Sequence, residues 1–227
     1  MNYTFDFMSV FANWDRLLYG AWLTIQLSAL SIVLGFVVGT LCAIAYKSNN
    51  WLLHGLVKIY VEVIRNTPLL VQVFLVFFGL ASIGWKLTAE TAAVIALTVN
   101  VGAYTAEIMR AGFNSIHPGQ IEAAECLGMS KFHVYWHVVL LPAVERVYPS
   151  LTSQFILLML ASSITSQISA EELTATANLV QSETFRSFEV YAVIAVAYLG
   201  LSFLFRAAFW LISQIAFVRK RKLGTNL

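Results

Sequence analysis

Cysteine and charge are both scarce in this chain, and each shortage closes off a class of protein. Two cysteines in 227 residues cannot build the disulfide framework that staples small secreted domains. Cys42 falls in an apolar run and Cys126 in a polar loop, and both read as inert packing residues. Only 11% of the residues are charged while 59% are hydrophobic, and the mean hydropathy of +0.75 is far from that of a soluble domain. A formal net charge of +2 gives no footprint for nucleic acid. Catalytic patterns are missing as well. His133 and His137 stand four apart but lack the glutamate of the H-E-x-x-H zinc pattern, so they read as a packing face for a partner. No G-x-x-x-x-G-K-[ST] phosphate loop occurs, and no nucleophile and base pair suits an intramembrane hydrolase. No cofactor or metal is expected on this chain. The N-terminus sets Asp6 and Asp15 ahead of Arg16, the reverse of a basic secretory leader, so the first apolar stretch is expected to be retained.

What the chain has in abundance is long apolar runs. A hydrocarbon core about 30 Å thick takes roughly 20 helical residues to cross, and five windows qualify: residues 18–46, 52–81, 88–115, 138–167 and 188–217. They are continuous rather than alternating, which excludes a transmembrane barrel. The fold class is therefore an all-α integral membrane protein with five transmembrane helices, one domain over residues 1–227. Lys47, Arg110, Lys131 and the basic tail Arg219-Lys220-Arg221-Lys222 fall on one side, against Arg16, Lys86 and Arg186 on the other. The positive-inside rule then places the N-terminus outside and the C-terminus inside, with the tail at 219–227 against anionic headgroups. On the outer side, the segment at 169–188 carries Glu171, Glu172, Glu183 and Arg186 and is expected to lie across the mouth as a solvated helix. Arg186 and Glu189 are expected at the interface.

Between the third and fourth spans lies a polar stretch, Ile116-His117-Pro118-Gly119-Gln120-Ile121-Glu122-Ala123-Ala124-Glu125-Cys126-Leu127-Gly128-Met129-Ser130-Lys131, followed by Leu141-Pro142. Pro118 suits the first position of a helix, and Glu122 and Glu125 are expected near its positive end. Gly128 can take the left-handed conformation that stops that helix, and Ser130 can cap a second. Two short helices bent at a glycine, with Ala123 and Ala124 making one face small, form a knob for another protein's groove.

The order Glu-Ala-Ala, three residues, Gly, then Leu-Pro resembles the coupling loop of ABC importer permeases. Two further stretches agree: Glu62-Val63-Ile64-Arg65-Asn66-Thr67-Pro68-Leu69-Leu70-Val71-Gln72 and Ala103-Tyr104-Thr105-Ala106-Glu107-Ile108-Met109-Arg110-Ala111-Gly112-Phe113-Asn114-Ser115-Ile116 resemble the second-span and third-span motifs of the polar amino acid branch. The resemblance implies a type I importer permease with its coupling region at 116–137. It also implies four kinds of partner: two ATPase subunits that bind ATP and magnesium, a second permease chain, an extracytoplasmic substrate-binding protein that docks on the acidic segment at 169–188, and the lipid of a bacterial cytoplasmic (inner) membrane. The function implied is uptake of polar amino acids or opine-like compounds by alternating access. Coupling to the ATPase falls to Glu122, Ala123, Ala124, Gly128, Met129, Ser130 and Lys131. One departure stands out. Many relatives of this branch carry a lysine just before a Thr-Ser or Ser-Ser pair, where this chain has Leu160, and that favours a heterodimer whose other chain supplies the charge.

Polar residues within spans are costly enough to need a partner or water. Glu62 with Arg65 and Glu107 with Arg110 are spaced to neutralise each other along a helix face. Each pair reads either as helix geometry near a gate or as part of a substrate path. Asn100, Tyr104 and Glu107 form a ladder that could meet an ammonium group, and Glu107 would be the coupling carboxylate if the chain were instead an ion-driven secondary transporter or channel. Pro68 frees a carbonyl near Ile64, so a kink is expected there, with Thr67 and Gln72 as polar neighbours. Ser162, Ser163, Ser166 and Gln167 read as a helix interface or a pathway lining. Arg206 needs either an early end to the fifth span or an acidic neighbour.

Overall fold

The computed structural model describes residues 4–48 and 50–217, so the basic tail lies outside the described residues. Among them the regular structure is all helical: α1 (Met8–Phe11), α2 (Trp14–Tyr46), α3 (Trp51–Arg65), α4 (Leu69–Ser82), α5 (Ala89–Asn114), α6 (Pro118–Cys126), α7 (Lys131–Ile168), α8 (Leu173–Thr184) and α9 (Ser187–Ala216). Four of these, α2, α5, α7 and α9, are long and apolar enough to cross a membrane alone. The bent pair α3 and α4 makes a fifth when counted as one broken span.

Helix α5 is the axis of the bundle. Of its crossing window 61% is buried, against 28% for α7 and α9, so α5 is enclosed by the chain while the others turn much of their surface outward. Its tightest neighbour is α2. A Cβ on Gly35 would stand 2.1 Å from a Val101 methyl, and one on Gly39 would stand 2.6 Å from the Gly102 carbonyl. Lipid tails are as apolar as leucine, so close packing rather than exclusion of water holds such a pair together, and small residues permit it.

The second span is broken, not merely kinked. Pro68 has no N–H and sits extended at φ −62° and ψ 138°, and α3 and α4 meet at 111°. The freed carbonyl of Ile64 accepts from Gln72 Nε2 at 2.8 Å, and the same nitrogen reaches the Thr67 carbonyl at 3.1 Å and its hydroxyl at 2.9 Å. Asn100 Nδ2 donates to Gln72 Oε1 at 2.9 Å from α5. Both amides are buried. One side chain therefore satisfies the break and a second ties it to the central helix. Elsewhere the helix starts are conventional: Asn50 accepts from the Leu52 and Leu53 N–H groups, and Thr88 from that of Thr91.

At the end away from α6, helix α8 packs across α2. Thr24 Oγ1 accepts from the Leu173 N–H at 3.0 Å, and Arg16 pairs with Glu183 at 2.6 Å on the surface. That guanidinium holds the Glu183 carboxyl below the usual carboxylate range. Glu172 is wholly buried, caps α8 through the Ala175 N–H at 2.7 Å and accepts from the Tyr198 hydroxyl at 2.7 Å. Burial pushes its carboxyl up from the ordinary value. The acids of this segment are thus not all presented to a partner: Glu172 and Glu183 are engaged within the chain, and Glu171 is exposed. Glu189 is likewise buried rather than interfacial, accepting the Asp6 N–H at 3.0 Å.

Candidate functional site

Helix α6 follows from its local chemistry. Pro118 occupies the first turn, where a missing N–H loses nothing, and His117 Nδ1 accepts from the Gly119 N–H at 3.1 Å as the cap. Gly128, at φ +75°, ends it. The Gly128 N–H donates to the Glu125 carbonyl at 2.9 Å and the Met129 N–H to the Ala124 carbonyl at 3.2 Å, the paired bonds of a Schellman stop. Ser130 Oγ then accepts from the His133 N–H at 3.4 Å and starts α7.

Four expectations for this loop need correction. Lys131 does not open a second short helix; it opens α7, which runs on to Ile168 through a stretch of wide π turns at Val134–Leu140 just ahead of Pro142. Glu122 and Glu125 lie in the middle and last turn of a nine-residue helix, not at its positive end. Ala123 and Ala124 do not share a face, because successive helical residues point about 100° apart: Ala123 is exposed, while Ala124 is buried. Cys126 is exposed on the same helix rather than packed.

The outer surface of the loop combines charge with large apolar groups. Glu122, Glu125 and Lys131 are exposed, and Leu127 and Phe132 are 82% and 71% exposed beside a half-exposed Trp136. Phe132 stacks on Trp136 with ring centroids 6.4 Å apart. Contiguous exposed apolar groups rimmed by charge mark a protein contact.

The loop is also fixed to the bundle. Ile116 is buried, Tyr135 packs on Phe113 with centroids 6.2 Å apart, and Arg146 of α7 donates to the Ser115 carbonyl at the end of α5. A Cβ on Gly112 would stand 3.1 Å from the Ala143 carbonyl, so α5 and α7 meet closely here. Arg146 carries no local sequence signal, since its partner is a carbonyl thirty-one positions away.

Near the same end, Glu107 accepts from Arg110 in a two-pronged contact, Nε to Oε2 at 2.9 Å, and Arg110 lies over the Tyr46 ring. The Glu62 and Arg65 pair expected from their spacing is not formed among the described residues. Glu62 takes the Asn66 amide at 3.2 Å, and Arg65 reaches over the Tyr104 ring at 5.6 Å. Face-on guanidinium contacts of this kind compete well with an exposed ion pair.

Ser162, Ser163, Ser166 and Gln167 stand at the other end, in a 3-10 stretch covering Ser162–Ile168 that packs against α8. Ser162, Ser163 and Ser166 donate to carbonyls three residues back at 2.7 to 2.8 Å, and Gln167 is exposed. The candidate path residues thus divide into a cluster of Tyr104, Glu107, Arg110 and Arg65 near the α6 end, a group at 162–167 near α8, and the buried amides Gln72 and Asn100.

The family model for the binding-protein-dependent transport system inner membrane component matches residues 31–214. The chain belongs to that family. It is 32% identical over 227 residues to the octopine transport system permease protein OccM of Rhizobium meliloti, covering 96% of this chain and 93% of that one. It is 34% identical over 208 residues to the glutamine transport system permease protein GlnP of Escherichia coli K12, covering 89% and 95%. Among solved structures, a chain of an amino acid ABC transporter matches with a TM-score of 0.84 at 36% identity, over 93% of this chain and 99% of that one. A chain of the inward-facing MetNI methionine ABC transporter shares the fold, at a TM-score of 0.72 and 20% identity over 88% and 95%. The architecture is that of a type I ABC importer permease.

Proposed function

We propose that this permease forms half of the membrane path of an ATP-driven importer of polar amino acids or opine-like compounds. A separate ATPase pair binds ATP and magnesium and hydrolyses the nucleotide, and an extracytoplasmic binding protein delivers the cargo to α8 and the outer ends of the spans. The N-terminus lies outside and the C-terminus inside the cytoplasmic membrane. Helix α6 is the handle, with Glu122, Ala123 and Lys131 facing the ATPase, and Ala124, Gly128, Met129 and Ser130 shaping it. Closure of the ATPases moves α5 and α7 as one body. Tyr104, Glu107, Arg110 and Arg65 form the inner part of the path and Ser163, Ser166 and Gln167 the outer part. The second permease chain is a homologue rather than a copy, since exposed Leu160 offers no cation to the path.

The observation that supports this most is the combination at α6 of an exposed charged and aromatic surface with rigid anchorage, because force passes only through a part that cannot bend. An ion-driven carrier centred on Glu107 is disfavoured, since Arg110 occupies both carboxylate oxygens. The test is transport by the reconstituted complex in vesicles. Glu122→Lys is expected to insert normally and to lose about ten-fold or more in ATPase co-purification and uptake, equivalent to roughly 1.4 kcal/mol at the interface. Undiminished assembly and uptake, or accumulation by the permease alone on a sodium or proton gradient, would overturn the proposal.

A further inference from the structure

The acidic neighbour expected for Arg206 is not found among the described residues. Helix α9 is continuous from Ser187 to Ala216, and among the described residues Arg206 forms no ion pair or hydrogen bond. It is exposed and lines an open cleft of about 290 Å³ between α7 and α9. That volume is at the small end for drug-sized ligands, about 300 to 1,000 Å³, and suits a headgroup. No carboxylate lines the cleft. Its hydroxyls differ in what they have left to give: Tyr148 donates to the Phe209 carbonyl, Thr152 to that of Pro149 and Ser213 to that of Trp210. The Arg206 guanidinium, the Trp210 indole N–H and the Ser153 hydroxyl are uncommitted among the described residues, so three donors line the cleft with one positive charge and no negative one.

Depth supplies the rest. At 1.5 Å per residue, Arg206 lies about 28 Å along α9 from Ser187, which is one hydrocarbon thickness. Thr152 and Ser153 lie at a similar distance from the outer end of α7. The exposed Trp210 sits one turn beyond Arg206, as interfacial tryptophans do. We infer that this cleft binds the phosphate headgroup of an anionic phospholipid, with the acyl chains lying along the apolar outer faces of α7 and α9. Basic clefts between membrane helices on the cytoplasmic side take such headgroups. The assignment to the cytoplasmic leaflet rests on the orientation proposed above.

The test is lipid retention by the full-length permease purified with its partners in detergent, titrated with dioleoylphosphatidylglycerol or dioleoylphosphatidylcholine and read by native mass spectrometry. The wild type is expected to keep the phosphatidylglycerol in preference to the choline lipid. Arg206→Gln should reduce that retention on the order of five-fold, as fits one basic residue at an anionic surface. Ser153→Trp should do the same by filling the cleft while leaving the charge. Inorganic phosphate should not displace the lipid. Equal retention in both variants, equal retention of the two lipids, displacement by phosphate alone, or a cross-link between Ser153→Cys in two permease chains would each overturn the assignment. Retention in detergent is blind to which leaflet the cleft faces, so failure here leaves the orientation and the transport function standing.

Discussion

Gln72 does the work of a missing stretch of backbone. Where Pro68 interrupts the second span, its amide nitrogen meets two carbonyls and a hydroxyl, and its oxygen is tied to Asn100. In hydrocarbon an unsatisfied carbonyl has no water to turn to, so the two amides are unequal. Asn100→Leu removes one donor from Gln72 and leaves the break satisfied. Gln72→Leu strips the break of its shorter donor, leaving the Ile64 carbonyl only the Thr67 hydroxyl at 3.4 Å, and orphans Asn100 as well. Single side-chain hydrogen bonds between membrane helices are worth about 0.6 kcal/mol on average, whereas orphaning a buried polar group costs about 1 to 3 kcal/mol. Thermal unfolding in detergent should show Asn100→Leu destabilised by about 1 kcal/mol and Gln72→Leu by about 2 to 3 kcal/mol. Equal losses would mean that the Ile64 and Thr67 carbonyls find another donor. The same comparison shows why the fate of these residues is hard to read from sequence. A freed carbonyl near Ile64 follows from Pro68 alone, but the partner that satisfies it is chosen by the 111° turn that brings Gln72 back over it.

At the scale of elements, α2 and α5 are joined by a contact that only small residues allow. Gly39 stands where a Cβ would meet the Thr105 Cβ at 2.5 Å and the Gly102 carbonyl at 2.6 Å, and the backbone oxygen cannot rotate away. Gly200 on α9 has nothing within 4 Å of its missing Cβ. Gly39→Val should therefore destabilise by about 1 to 3 kcal/mol or more through overpacking. Gly200→Ala should be neutral or stabilise by up to about 1 kcal/mol, because alanine is the better helix former. Melting curves of the two variants decide it; a Gly39→Val protein as stable as wild type would place the two helices further apart. The spans themselves were legible because apolar length is a property of one segment. So was helix α6, whose start at Pro118 and stop at Gly128, with the restart of the chain at Ser130, each depend on a single residue type. The division between buried Ala124 and exposed Ala123, the parting of Glu62 from Arg65, and the clamp of Arg146 on Ser115 depend on neighbours far along the chain, and no local spacing encodes them.

For the molecule as a whole, function turns on which side of the membrane α6 occupies. Lysines and arginines favour the cytoplasm for that end, and two features make the orientation measurable: Cys126 is exposed on the handle, and Ser182 is exposed on α8 at the other end. In a Cys42→Ser background lacking the partner ATPase, a membrane-impermeant maleimide is expected to label Cys126 in inverted vesicles and to leave it untouched in intact spheroplasts. Ser182→Cys, in a chain that also carries Cys126→Ser, should give the opposite pattern. Adding the ATPase back to the inverted vesicles should then protect Cys126, as the proposed grip on α6 requires. Labelling of Cys126 from the outside would reverse the whole molecule and separate the handle from any cytoplasmic motor. Labelling from the inside without protection would keep the orientation and move the ATPase contact away from α6, toward the exposed aromatic pair of Phe132 and Trp136 at the start of α7.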